Sequence, residues 1–343
     1  MISRPSPFMV ILTLGILLVI SALFVCTLGA TGFTLGKTGS LSLFVIEQIR
    51  LPRISLAIIT GAALGISGAV MQGLFRNPLA DPGLIGVSSG AALGTTVYIV
   101  LGSSLGLDTL SRHYPFLHNV MLRWMVPLSG MIGGFCTTGL LYSFARRQEG
   151  LSTTLIILTG IAIGSFTAAI TGILTFRADD TALRDITFWS LGSLAGANWS
   201  GFVILLPFFL TALILIFPLR DILNAFLLGE KDAILLGHPV ERFKKMAILG
   251  VALATGPVVS FVGVIGFIGV VVPHLVRLVT GPDHRIVLPA SALTGALLLL
   301  WADTAARLIA PPAEIPVGII TAALGAPAFL WLLTRTQTGS ALS

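Results

Sequence analysis

Ten mostly apolar runs follow one another along the chain, at about 8–28, 54–74, 83–103, 123–145, 152–176, 200–218, 246–267, 269–280, 286–309 and 315–334. A bilayer core about 30 Å thick is crossed by about 20 helical residues. Within it an open backbone has no water to bond, so a run of this kind must close its hydrogen bonds inside a helix. The expected fold is an all-α polytopic membrane protein of about ten transmembrane helices. Only 10% of residues are charged and 55% are hydrophobic, far too apolar for a soluble domain. No long polar linker separates the runs, so residues 1–343 read as one transmembrane domain. The first run follows Arg4 without a convincing cleavage site and reads as a retained helix. Gly263, Gly266 and Gly269, followed by Pro273, place a bend between the seventh and eighth runs.

The formal charge is +6, yet no basic face interleaved with aromatics suggests nucleic acid. The basic residues instead set orientation. With both termini in the cytoplasm, twelve of the 20 Lys and Arg lie inside. Lys37, Arg50, Arg53, Arg112, Arg123, Arg177, Arg184 and Arg307 then lie outside and need an explanation. Trp124, Trp189, Trp199 and Trp331 fall near run ends, as an interfacial belt would. Cys26 and Cys136 sit inside apolar runs without metal-ligand spacing and read as packing residues.

The most distinctive local feature is the corner Arg76-Asn77-Pro78-Leu79-Ala80-Asp81-Pro82-Gly83. Its two prolines stop an uninterrupted helix. Glycines at four-residue intervals on either side, Gly61 and Gly65, then Gly86, Gly90 and Gly94, give faces suited to close helix contact in lipid. A corner between tightly packed helices suits a gate or coupling point. A looser repeat relates residues 54–94 to 246–296, a duplication found in transporters.

Gly36-Lys37-Thr38 resembles the end of a phosphate-binding loop, but Thr31 stands where its first glycine belongs. Any ATP must therefore act on another chain. An ion-coupled secondary transporter is the competing class, and it needs ionisable groups at mid-membrane. The nearest here are His274, Arg277 and Asp303, and Asp303 stands four residues from Arg307, a spacing that lets them pair. His274 reads as a packing histidine. The longest charged insert, Arg220 to Lys245, has amphipathic spacing. It is either a helix lying on headgroups or a docking platform.

Four segments resemble a known family. They are RLPR at 50–53, GAALGISGAVMQGLFRNPLADPGLIGVSSGAALG at 61–94, GFIGVVVPHLVRLVTGPDHRIVLPASALTGA at 266–296 and AEIPVGIITAALGAPAFLWLL at 313–333. In that order they are similar to the permease subunits of type II ATP-binding-cassette importers, which take up iron-siderophores, haem and vitamin B12. The resemblance implies ten spans in a bacterial inner membrane, with two permeases lining one path and a second copy of this chain as the simpler partner. It also implies two cytoplasmic ATPase subunits, which use the ATP, and a periplasmic binding protein. The chain itself would hold no cofactor or metal and no catalytic residue.

Matching positions imply roles. Arg50, Arg53 and Arg307 would receive the binding protein. Asn77, Leu79, Ser152 and Thr153 would narrow the cytoplasmic exit, Asn77 also suiting the cap of a broken helix end. Leu228, Gly229 and Glu230, within 220–245, would couple to the ATPase. The outer loop Arg177 to Trp199 is worded more like haem permeases than cobalamin ones. Arg177 and Arg184 either meet haem propionates at the mouth or pair with Asp179, Asp180 or Asp185. Haem is the expected substrate, with a ferric siderophore and then cobalamin as alternatives.

Overall fold

A chain this apolar must satisfy its own backbone, and every long element is a helix among the described residues. The computed structural model describes residues 6–29, 32–33, 40–102, 115–147 and 150–340. Gly36-Lys37-Thr38 lies outside the described residues, as do Arg4 and Arg112 and the side chains of Arg123, Arg147, Trp331 and Arg335.

Helix α1 (Pro7–Thr27) opens with Pro7 in its first turn and Ser6 Oγ accepting from Met9 N. It carries apolar side chains all round, and Phe8, Ile20 and Leu23 are exposed, as a helix against lipid would have them. Helix α2 (Ser40–Val45) runs through a π turn at Ile46–Arg50 into α3 (Leu51–Phe75). There the proline corner ends the helix. Arg76 takes a left-handed φ of 48°, and Asn77 Oδ1 accepts from Leu79 N at 2.9 Å.

A single 3-10 turn, Pro82–Ile85, follows, capped by Asp81 Oδ1 accepting from Gly83 N at 2.7 Å. Gly86, at φ 80°, then redirects the chain into α4 (Val87–Leu101). The third predicted span thus becomes α-helical four residues later than expected, because the turn after Pro82 is wound too tightly to continue as an α-helix.

The remaining helices are α5 (Pro115–Ala145), α6 (Thr153–Phe176), α7 (Asp180–Ser190), α8 (Trp199–Ile216), α9 (Arg220–Phe226), α10 (Glu230–Leu235), α11 (Val240–Val262), α12 (Ile268–Thr280), α13 (His284–Leu308) and α14 (Val317–Ser340). Two-residue ladders pair Leu28–Gly29 with Gly32–Phe33 and Arg146–Arg147 with Gly150–Leu151. Among the described residues seven helices have the length and apolarity to cross a membrane, and three shorter apolar ones fall at Val87–Leu101, Ile268–Thr280 and Val317–Leu330. Each of the ten predicted runs holds one of them. The bend at the seventh run is present, since α11 stops at Val262, Gly263 takes φ 78° and Phe267 takes φ 70°. The charged insert is not one amphipathic helix. Gly229 (φ 140°) and Gly237 (φ 83°) cut it into α9, α10 and the first turns of α11.

Packing divides the chain into two units. The first contains Met1–Ala69, Leu194–Phe202 and Ile265–Ser343. In it α3 crosses α13 so closely that a β-carbon on Gly61 would overlap the Gly295 carbonyl oxygen. Helix α1 lies along α13, with Trp301 Nε1 donating to Ser21 Oγ at 3.2 Å. The second contains Val70–Ser193 and Val203–Val264. Its α4 and α5 meet backbone to backbone at Gly90 and Gly133, and Thr137 Oγ1 donates to Gly86 O at 2.8 Å. Cys26 is half-buried, whereas Cys136 is exposed on α5 rather than packed as expected; its position on the helix turns it away from α4.

Candidate functional site

The proline corner, the start of α6 and the break before α10 lie in the second unit. The ladder Arg146–Arg147/Gly150–Leu151 delivers the chain to Ser152, whose Oγ accepts from Leu155 N at 3.4 Å and so begins α6. A serine suits this place because it satisfies an amide that a helix start leaves free. Gly229 turns the chain into α10, whose first residue is Glu230. That turn needs a φ that only glycine adopts readily.

Lys244, in the second turn of α11, joins the two. Its ammonium donates to Glu230 Oε1 at 2.6 Å and to Leu151 O at 2.5 Å. Glu241 Oε1 accepts from Leu151 N at 2.5 Å. Thr153 Oγ1 donates to Glu230 Oε2 at 3.4 Å. Thr153, expected at the gate, and Glu230, expected at the coupling segment, therefore share one hydrogen-bonded cluster, and Ser152 stands beside it as the cap of α6. A cleft of about 710 Å³ opens beside it, lined by Leu74, Phe75, Arg76, residues 151–155, Ile157, Phe226 and Glu230. Asn77 and Leu79 are exposed at the corner and do not line this cleft. The Asn77 side chain caps its own turn there.

Around Gly229 the insert presents apolar groups outward. Leu228, Ile234, Leu235 and Leu236 are 55–83% exposed, interspersed with Glu230, Lys231 and Asp232. Bare apolar side chains so close to charges mark a surface made to be covered.

In the first unit Arg53 is largely enclosed. Its Nε and Nη2 grip Asp303 at 2.8–3.1 Å and its Nη1 reaches Glu314 Oε2 at 2.9 Å. Arg307 Nε lies 3.4 Å from Asp303 Oδ2, the pair that the four-residue spacing led us to expect. Arg50 is buried and donates to Cys26 O at 2.7 Å. The three arginines thus have partners within the chain, and Glu314 is the most exposed carboxylate among them. His274 is half-buried on α12.

Arg177 follows α6 and Arg184 lies on α7, both exposed, and neither forms an ion pair among the described residues. Of the two alternatives left open for them, pairing with Asp179, Asp180 or Asp185 is not formed. Asp179 is engaged instead as the cap of α7, accepting from Ala182 N at 2.8 Å.

Sequence reasoning missed Lys244, Glu241 and Leu151. The two charges stand three residues apart at a helix start, a spacing that puts them on one face, but they read as orientation charges because nothing local tells that Leu151 lies opposite.

The model of the FecCD transport family matches residues 8–335. The hemin transport system permease protein of Yersinia pestis is 42% identical over 340 residues, covering 97% of this chain and 98% of the relative. The cobalamin import system permease protein of Halobacterium salinarum is 40% identical, covering 84% and 73%. The vitamin B12 import system permease protein of Klebsiella pneumoniae is 38% identical, covering 85% and 83%. A solved structure described as a metal-chelate type ABC transporter in an inward-facing conformation superposes with a TM-score of 0.80 at 34% identity, covering 95% of this chain and 98% of that one.

Proposed function

This chain belongs to the FecCD transport family, and from that premise we propose that it is the permease subunit of an ATP-driven importer passing haem across a bacterial inner membrane for iron uptake. The observation that carries the reading is the cluster joining Glu230 to Thr153: a surface suited to a partner is bonded to the mouth of a cleft. The subunit performs no covalent chemistry. Two ATPase subunits cover Leu228, Gly229 and Glu230, and their binding and hydrolysis of ATP shift the permease between states that they bind differently. Ser152, Thr153, Asn77 and Leu79 narrow the exit, closing it with small and apolar groups that hold no ligand tightly. Both termini lie in the cytoplasm, and a second copy of the chain completes the path.

Arg50, Arg53 and Arg307 receive a periplasmic binding protein, whose carboxylates exchange with Glu314 at Arg53. Such rim pairs set orientation and encounter more than affinity. Arg177 and Arg184, both exposed and outside the ion pairs of the described residues, meet haem propionates at the mouth, since a guanidinium matches a carboxylate in shape and charge. Haem is favoured by full-length similarity to the hemin permease. A second reading, cobalamin or a ferric siderophore, is favoured by the vitamin B12 permeases and the metal-chelate transporter.

The test is uptake in proteoliposomes holding the chain, its ATPase and its binding protein, offered haem, a ferric siderophore and cobalamin in parallel. ATP-dependent haem uptake is expected. Uptake of another ligand alone would keep the permease and replace the substrate. Uptake by the chain alone under an ion gradient would replace the reading with a secondary carrier.

A further inference from the structure

Resting on the permease reading, we propose that Lys244 is a positioning residue that fastens the coupling helix to the gate, so that displacement of α10 carries the first turn of α6 with it. The side chain of Lys244 is 3% exposed and Glu230 is its only carboxylate partner among the ion pairs of the described residues. An ammonium has three donors and no acceptor. One donor goes to Glu230 Oε1 and another to Leu151 O. The Leu151 amide is held from the same helix, by Glu241 Oε1. Leu151, the residue just before Ser152, is thereby clamped at both its N–H and its C=O by two residues of α11 one turn apart.

The Glu230 carboxylate then bridges, one oxygen on Lys244 and the other accepting from Thr153. Moving α10 away from α6 would strip the carboxylate from an enclosed ammonium, which is strongly unfavourable. Moving them together with the first turns of α11 keeps every bond. With Lys244 replaced by an apolar group, the hydrogen bond left between α10 and α6 among the described residues is the 3.4 Å contact of Thr153, and one can shift without the other.

A merely structural lysine would give a different result. Loss of a packing residue lowers ATP hydrolysis and uptake in parallel, whereas loss of a linkage lowers uptake per ATP hydrolysed. The experiment reconstitutes the full complex with wild type, Lys244→Met and Lys244→Arg and measures both rates. In parallel, amide hydrogen exchange of Leu151–Leu155 is followed in the chain alone in nanodiscs. For Lys244→Met, hydrolysis is expected to stay within about twofold while uptake per ATP falls about tenfold, and exchange at Leu151–Leu155 is expected to accelerate about tenfold. Lys244→Arg, keeping charge and donors, is expected to restore both.

Parallel loss of hydrolysis and uptake, unchanged uptake per ATP, or unchanged exchange would each overturn the proposal. If wild type shows no ATP-driven uptake, the permease reading falls. Exchange in the chain alone then still decides whether Lys244 fastens α6 to α10.

Discussion

Arg53 shows how a residue legible in kind can be illegible in setting. Sequence order reads it as an outer arginine, and the spacing of Asp303 and Arg307 foretells their pair, but no local pattern links Arg53 to carboxylates 250 and 261 positions away. Once they are seen, docking and folding can be separated. Arg53→Ala leaves Asp303 enclosed with Arg307 alone, and should cost about 3 kcal/mol, read as a lower melting temperature in detergent. Glu314→Gln removes the half-exposed competitor without stranding a buried charge. It should tighten binding-protein association several-fold at low salt, the gain shrinking as salt rises. Equal affinity at all salts would deny Arg53 a docking role. Asp81 offers a second test at this scale. Desolvation by burial pushes its carboxyl above 3.8, against the lowering effect of the Gly83 amide. A raised folded-state value means that stability present below 3.8 is lost as pH rises through the folded value. Asp81→Asn keeps the cap and drops the charge, so its melting temperature should exceed wild type at neutral pH, with the difference vanishing near pH 3.8. A lower melting temperature at neutral pH would show that the charged cap stabilises the corner.

Among the elements, the helices were readable because each apolar run has to close its own hydrogen bonds, and the breaks were readable only in part. Proline marks where α3 must stop, but not that Pro82–Ile85 winds as a 3-10 turn before Gly86. Glycines within the charged insert decide that α9 and α10 are separate, against an amphipathic pattern that runs through them. Four-residue glycine spacing signalled close contact on α3 without naming α13 as the partner. The size of that effect is open to measurement. A β-carbon at Gly61 would strike the Gly295 carbonyl, which cannot move without the whole helix, whereas one at Gly172 on α6 meets nothing within 4 Å. Gly61→Ala should lose about 2 kcal/mol through overpacking of two backbones, and Gly172→Ala should be neutral or gain up to about 1 kcal/mol from helix propensity. Equal melting temperatures for the two variants would mean that α3 and α13 part more easily than their packing implies.

For the molecule as a whole, membership and architecture were written in long segments of sequence, while the substrate was not, since those segments are shared by relatives named for haem and for vitamin B12 alike. Partners leave a clearer mark. An isolated chain in a bilayer has its apolar helices covered by lipid, but α10 belongs to an insert with Glu230, Lys231 and Asp232, so on the proposed reading the ATPase covers Leu235, which is 83% exposed. Such a residue supports nothing inside the permease, because its side chain touches little of it. Leu235→Asp should therefore leave the melting temperature of the chain within about 1 °C, as surface changes usually do. It should weaken retention of the ATPase about tenfold, the scale of losing one buried leucine at an interface, measured as co-purification at matched expression. Retention at wild-type levels would move the contact elsewhere on the insert. A fall in melting temperature without any change in retention would instead make Leu235 part of the fold, and α10 a helix resting on headgroups.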